Sequence, residues 1–315
     1  MLTSKEIQQR LEELQEKYNA MGQDMVSYLD GLLYADYLTY WEYIHLDTLL
    51  TLQNPKTSFP DEEIFIMYHQ ITELYFKLTL HELKQITEDQ NPSIAFLKTR
   101  IKRINCYFEN LTRSFEIMVT GMEVDQFLKF RMSLLPASGF QSAQYRIIEI
   151  YSTPFIELVD KELKEEFRKK KNVTIREMYD NIYWKKGATE LATGKKTLTL
   201  KQFEKKYSEQ IIDTVEKVNG KTLFDKFLGL STIEQQDEEL VKELKQFDLN
   251  VNVNWPLSHY KSAVRYLQKN PEDIKATGGT NWQKYLPPRF QLRIFYPLLW
   301  SKEELEEWGK SYKNV

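Results

Sequence analysis

The sequence predicts an all-α fold, a single helical-bundle domain over residues 1–315 with long antiparallel helices, and three observations predict it. Apolar residues recur at three- and four-residue steps over long stretches, capping signatures and Pro or Gly stops punctuate them, and strand patterning is scarce. No repeat, low-complexity tract or long linker forces a domain boundary, and residues 1–35 read as an N-terminal helical segment of the same domain.

Thr3 and Glu6 make a capping box, after which Ile7, Leu11, Leu14 and Tyr18 form a narrow stripe on an otherwise polar helix. So narrow a stripe needs a partner surface. Met21-Gly22 ends it, and a helix carrying Tyr40, Tyr43, Leu46, Leu49 and Leu50 follows and stops at Asn54-Pro55. The segment from Asp61 to Leu83 begins after Pro60 with three acidic residues, which suit the positive end of a helix dipole. Its apolar side is read as Phe65, Tyr68, Leu74, Tyr75, Leu78 and Leu83, and His69 lies one turn after Phe65, so ring and imidazole stack as one wall. From Ser93 to about Val119 the positions Ile94, Leu97, Ile101, Ile104, Phe108, Leu111, Phe115 and Met118 keep a helical period. A helix from about Glu123 to Leu134 leads to Leu135-Pro136-Ala137-Ser138-Gly139-Phe140, where Pro and Gly break the pattern and small residues permit close backbone approach.

In the C-terminal half, Pro154 opens a helix ending in the basic cluster Arg168–Lys171, and Thr174 with Glu177, Thr199 with Gln202, and Ser231 with Glu234 are capping pairs. Gly187–Lys196 is a hydrophilic connection, and Gly220 supplies a helix stop. The alternation Leu249-Asn250-Val251-Asn252-Val253-Asn254, followed by Trp255-Pro256, reads as an extended connection.

Composition bounds the function. With 43 basic and 46 acidic residues the net charge is −3, which leaves no electrostatic footprint for nucleic acid. No run approaches the ~18 apolar residues of a membrane span, and the charged N-terminus lacks a signal core, so a cytoplasmic protein that does not bind membranes is expected. Cys106 is the sole cysteine, which excludes an intrachain disulfide, and amid apolar neighbours it reads as a small buried hydrophobe. The four histidines, His45, His69, His81 and His259, show no zinc spacing, and neither a nucleophile elbow nor a phosphate loop occurs. Carboxylates fall mainly on predicted polar faces. The 17 Phe, 19 Tyr and 6 Trp can fill a core or line a cavity for a flat ligand. From the residues alone, His69 is either a hydrogen-bonded core histidine or part of such a cavity wall, and His259 is a surface or core histidine.

Two blocks, FIMYHQITELYFKLTLHEL around His69 and FLKFRMSLLPASGFQSAQYR around Pro136, resemble the tryptophan 2,3-dioxygenase family of haem enzymes. YWEYIHLDTLLTLQ and the region of His259 with Thr277-Gly278-Gly279 extend the resemblance, which runs from about Leu32 to Leu299. It implies an all-α homotetramer with haem b between helices, ferrous for activity, and insertion of both atoms of O2 into the indole 2,3 bond of L-tryptophan to give N-formyl-L-kynurenine. By the same resemblance His259 is the proximal ligand of the haem iron and His69 the distal histidine meeting the indole N–H. Phe65, Phe127 and Leu134 match apolar pocket positions, Arg131 the residue holding the substrate carboxylate, Ser138 a serine near haem and bound oxygen, and Thr277 a threonine at the amino-acid head group. Tyr40 and Tyr43 match tyrosines near the active site, with the N-terminal segment exchanged between subunits; Tyr34 and Tyr37 share their spacing, and the HLDTLLTLQ that follows favours Tyr40. After Gly279 the chain departs from the family with Thr280-Asn281-Trp282, which leaves the substrate range open. A related haem oxygenase acting on another indole or aromatic amino acid, or a haem-binding helical protein without turnover, are the alternatives.

Overall fold

In the computed structural model residues 4–35, 38–131, 140–190, 193–266 and 287–310 are described. The chain divides into two compact units, Met1–Asn54 and Pro55–Val315, with the break at the Asn54-Pro55 stop. Both are helical, and among the described residues the only β pairing is two isolated bridges, Val159 with Ile182 and Thr189 with Lys196.

The first unit holds α1 (Ser4–Ala20) and α2 (Met25–Leu33), followed by the short helices α3 (Tyr40–Tyr43) and α4 (Leu46–Leu49). Tyr18 packs on Tyr28 with centroids 4.6 Å apart, and Asp24 caps α2 by accepting from the Val26 and Ser27 amides. Where the sequence suggests one helix through Leu50, His45 adopts φ 52° and splits it, a left-handed conformation that His tolerates better than bulky residues do. No residue of α1 is buried, and Ile7 and Leu11 stay exposed on its stripe.

The second unit is built on α5 (Asp61–Glu88) and α6 (Ile94–Ser114), the latter continued by α7 (Glu116–Thr120). Contacts fix their direction. Glu82 pairs with Arg100 and Arg103, Phe76 meets Phe108, and Tyr68 meets Phe115, so the two helices are antiparallel. The expected period of α6 is the buried one, with Leu97, Ile101, Ile104, Phe108 and Leu111 inaccessible to solvent. Cys106, two residues from both Ile104 and Phe108, faces the other way and is exposed, contrary to the expectation of a buried thiol. On α5 the apolar side is also corrected. Tyr68, Phe76, Leu80 and Leu83 enter the core together with Thr72 and Thr79, whereas Leu74 and Leu78 join Met67 and Ile71 on an exposed stripe. Because α5 is apolar on two sides, its periodicity alone does not choose the inner one.

The helices α8 (Val124–Arg131) and α9 (Ala143–Ser152) flank α5, and the short helices α10 (Lys164–Lys169), α11 (Ile175–Asp180) and α12 (Tyr183–Lys186) follow. Farther on, α13 (Leu198–Val218) starts from a Thr197 cap, two residues before the Thr199 that sequence suggests, and stops at Gly220 with φ 70°, ahead of the short α14 (Leu223–Leu228). The Thr174 and Glu177 capping box is present.

The largest departure lies at Asn250–Asn254. It is a buried π-helical turn joining α15 (Glu238–Leu249) to α16 (Trp255–Tyr266), where the sequence reads as an extended connection. The Asn side chains that mimic strand alternation bond along and across the helix: Asn254 donates to Asn250 at 3.0 Å, Asn252 to Asp248 at 2.6 Å, and Asn250 to Asn105 at 3.2 Å. With Lys98 beside Asp237, Asn105 beside Glu243 and Phe108 beside Phe247, α15 runs parallel to α6. This direction carries α16 back along α5, where Phe76 meets Trp255 edge-on. No described helix is long and apolar enough to cross a membrane.

Candidate active site

Helix α5 supplies the first wall. Phe65 and His69 stand one turn apart with ring centroids 4.0 Å apart, and His69 Nδ1 lies 2.7 Å from the Phe65 carbonyl oxygen. A carbonyl can only accept, so Nδ1 carries the proton and Nε2 keeps its lone pair. His69 has solvent access by area, yet desolvation by the surrounding protein lowers its pKa despite the Phe65 carbonyl and Glu73.

Helix α8 supplies the second wall. The Phe127 ring lies 6.2 Å from that of Phe65, and Phe130 fits edge-on to both at 5.6 and 5.5 Å. Arg131, at the end of the helix, is buried with its guanidinium 5.8 Å from the Phe127 ring centroid. A buried guanidinium beside aromatic rings is a strong site for a carboxylate, since its planar fork bonds both oxygens and its charge is poorly screened there.

The third wall is α16. His259 packs between Phe115 and Trp255, each with its centroid 4.5 Å away, and its Nδ1 lies 3.3 Å from the Trp255 carbonyl one turn earlier. Burial, against the bond to the Trp255 carbonyl and with smaller help from the nearby His69 and Arg146, pushes its pKa down to about 4. The two histidines are therefore close enough to sense each other, and Tyr68 and Phe115 bridge them through edge-on contacts, 6.2 Å from Tyr68 to His69 and 5.7 Å from Tyr68 to Phe115. Tyr266 closes the ring of helices by packing on Phe127 at 4.4 Å.

Thus Phe65, His69, Phe127, Arg131 and His259 gather where α5, α8 and α16 meet. Tyr40 and Tyr43 belong to the first unit, where they are 70% and 73% exposed, so nothing within that unit covers them. Leu134, Ser138 and Thr277 lie outside the described residues. Sequence reasoning missed Phe115, Phe130, Trp255 and Tyr266. The first of these was readable only as a core position of a long helix, and the last two are placed by the π-helical turn.

A family model described as tryptophan 2,3-dioxygenase matches residues 31–253, more than half of the chain. The chain belongs to the tryptophan 2,3-dioxygenase family. The protein named tryptophan 2,3-dioxygenase in Ruegeria sp. (strain TM1040) is 41% identical over 117 residues, 37% of this chain and 42% of that protein. Its namesake in Sorangium cellulosum (strain So ce56) is 41% identical over 124 residues, 36% and 30% of the two chains. The one in Bacillus anthracis is 38% identical over 128 residues, 38% and 44% of the two chains. The chain covers less than half the length of each of these relatives. The family match ends short of His259, which is therefore judged by its surroundings.

Those surroundings fit the haem that this family implies. A haem iron takes a neutral imidazole through one nitrogen while the other donates to a carbonyl that fixes the tautomer. His259 has that arrangement: a depressed pKa, an Nδ1–H directed to the Trp255 carbonyl, and aromatic rings about it. Among the described residues no group of three His, Cys, Asp or Glu side chains is arranged to hold a bare metal ion.

Proposed function

We propose that this chain is a haem-dependent dioxygenase that inserts both atoms of O2 into the indole 2,3 bond of L-tryptophan, forming N-formyl-L-kynurenine. The observation that carries the reading is the pairing of His69 with His259. Two neutral imidazoles on different helices each commit Nδ1 to the carbonyl four residues earlier, which leaves each with one basic nitrogen inside a wall of aromatic rings. One of them suits an iron, the other a hydrogen-bond donor on a substrate.

His259 would hold haem b through Nε2. When bound, haem supplies a ferrous iron for the chemistry of O2. The rest is positioning. Arg131 clamps the substrate carboxylate, and Phe65 and Phe127 offer apolar ring surface against which the flat indole packs. His69 Nε2 accepts a hydrogen bond from the indole N–H, a donor-only group that matches an acceptor-only nitrogen. Because burial makes His69 a weak base, it orients and polarises this N–H and does not carry its proton away. Ser138, Leu134 and Thr277 complete the pocket in this reading, with Ser138 beside the haem, Leu134 against the indole and Thr277 at the ammonium group.

The same reading makes the protein a cytoplasmic homotetramer in which Tyr40 and Tyr43 reach the active site of a neighbouring subunit. The exposed Tyr40, Trp41 and Tyr43, and the exposed α5 stripe of Met67, Ile71, Leu74 and Leu78, support such contacts. Light scattering on the purified protein would test the assembly, and a monomer at micromolar concentration would remove it.

For the activity, haem-loaded and reduced protein is given L-tryptophan under 18O2 and the product is weighed. Gain of two labelled atoms supports the reading. One labelled atom would make the protein a monooxygenase, and haem binding without product would redirect the search to other indoles.

A further inference from the structure

From Glu238 to Tyr266 the chain forms one continuous helix, and Pro256 stands inside it. A proline there lacks an N–H, and its ring crowds the carbonyl four residues earlier, that of Asn252. The helix answers by widening. Trp255 N–H bonds the Asn250 carbonyl, five residues back instead of four. The next carbonyl in this pattern, that of Val251, would need the amide of residue 256, which is the proline. Val251 is fully buried, so an unpaired carbonyl would be costly.

Two side chains from elsewhere take its place. Tyr145 Oη donates to the Val251 oxygen at 2.6 Å, and Arg293 Nη2 donates to the same oxygen at 3.2 Å and to Tyr145 Oη at 2.9 Å. Arg293 is held in turn by Glu149, which also pairs with Arg146 at 3.0 Å and accepts from Tyr183 Oη at 2.6 Å. Glu149, Arg146, Arg293 and Tyr145 are all buried. Burying one carboxylate and two guanidinium groups is rarely the most stable way to fill a core, so such a cluster calls for a reason beyond stability.

Position supplies the reason. Val251, Trp255 and His259 stand at steps of four on one side of the helix, and the Trp255 carbonyl is the one facing His259 Nδ1. Tilting the Val251 peptide would tilt the Trp255 peptide above it, and with it the imidazole. We infer that Tyr145 and Arg293 are positioning residues that, by holding the carbonyl orphaned by Pro256, set the register of the helix and the orientation and tautomer of His259. The consequence for haem rests on the proposed ligand role of His259, whereas the consequence for the imidazole does not.

Two variants separate this role from general loosening. Tyr145→Phe removes the hydroxyl on Val251 and keeps the ring. Tyr183→Phe removes a hydroxyl from the same cluster without touching Val251. In the haem-free protein the ring 15N resonances of His259 are compared, and in the ferrous haem-loaded protein the iron–histidine stretching band is read by resonance Raman. Tyr145→Phe is expected to shift the ring nitrogens toward the average of two tautomers and to move or broaden the iron–histidine band, while Tyr183→Phe leaves both in place. The inference is overturned if Tyr145→Phe leaves the ring resonances unchanged, or if both variants move them equally at matched melting temperatures. A His259→Ala variant that keeps the iron–histidine band would sink the ligand reading alone, with the 15N comparison still deciding the role of Tyr145.

Discussion

His69 Nδ1 lies 2.7 Å from the carbonyl oxygen of Phe65, which fixes one tautomer and leaves Nε2 as an acceptor. Burial lowers its pKa, so the acceptor form persists below the point where an ordinary histidine protonates. Activity measured as kcat/KM should therefore stay level as the pH falls through about 6.5, with the acid limb lying lower. The sign for stability follows from the same shift. An unfolded chain binds the proton first, so His69 withdraws stability as the pH drops below about 6.5 and leaves it untouched above. A break in kcat/KM at or above that pH, absent from His69→Gln, would mean an ordinary, solvated imidazole.

Replacing His259 by Ala should abolish the histidine-ligated ferrous spectrum of the haem-loaded protein. The substitution vacates a space between Phe115 and Trp255, and added imidazole of the same shape should restore part of the spectrum. A variant that keeps the original spectrum without imidazole would place the ligand on another residue.

Much of this was legible in the sequence, for definite reasons. The buried face of α6 needs only a helical period, and the Phe65 and His69 stack needs only a four-residue step, so both follow from local geometry. The choice between two apolar sides of α5 does not, because it is made by α6 and α9. Nor does the π-helical turn, whose Asn and Val residues alternate as a strand would. What decides it is Pro256 together with a hydroxyl from Tyr145 and a guanidinium from Arg293, far away in the chain. Glu149 and Asp248 likewise carry no local sign of burial, and distant partners bury them. His259 carries no local mark at all; the role proposed for it comes from the family resemblance, with its ring neighbours in support.

Asp248 shows how such a group can matter to the fold. It is fully buried on α15 and accepts from the Phe295 and Tyr296 amides at 3.0 and 3.1 Å, from Trp300 Nε1 at 3.0 Å and from Asn252 at 2.6 Å. Asn has nearly the same shape but must turn an NH2 toward some of these donors. Asp248→Asn should cost about 2 to 4 kcal/mol, the scale of losing charge-assisted bonds and stranding a buried N–H. Urea unfolding of the two proteins checks it, and an unchanged midpoint would show that the C-terminal segment holds without this anchor.

Arg131 is the residue on which substrate choice turns in the proposed function. It is buried beside Phe127, where solvent screens its charge poorly. Arg131→Ala should weaken the productive complex with L-tryptophan by roughly 2 to 5 kcal/mol, the cost of truncating one partner of a buried charge pair. The loss should appear as a higher KM for L-tryptophan and be much smaller for tryptamine, which has no carboxylate to hold. Arg131→Lys should recover only part of it, since a point charge cannot form the paired bonds of a guanidinium. Equal losses for the two amines would instead tie Arg131 to the packing of α8 and leave the carboxylate to another cation.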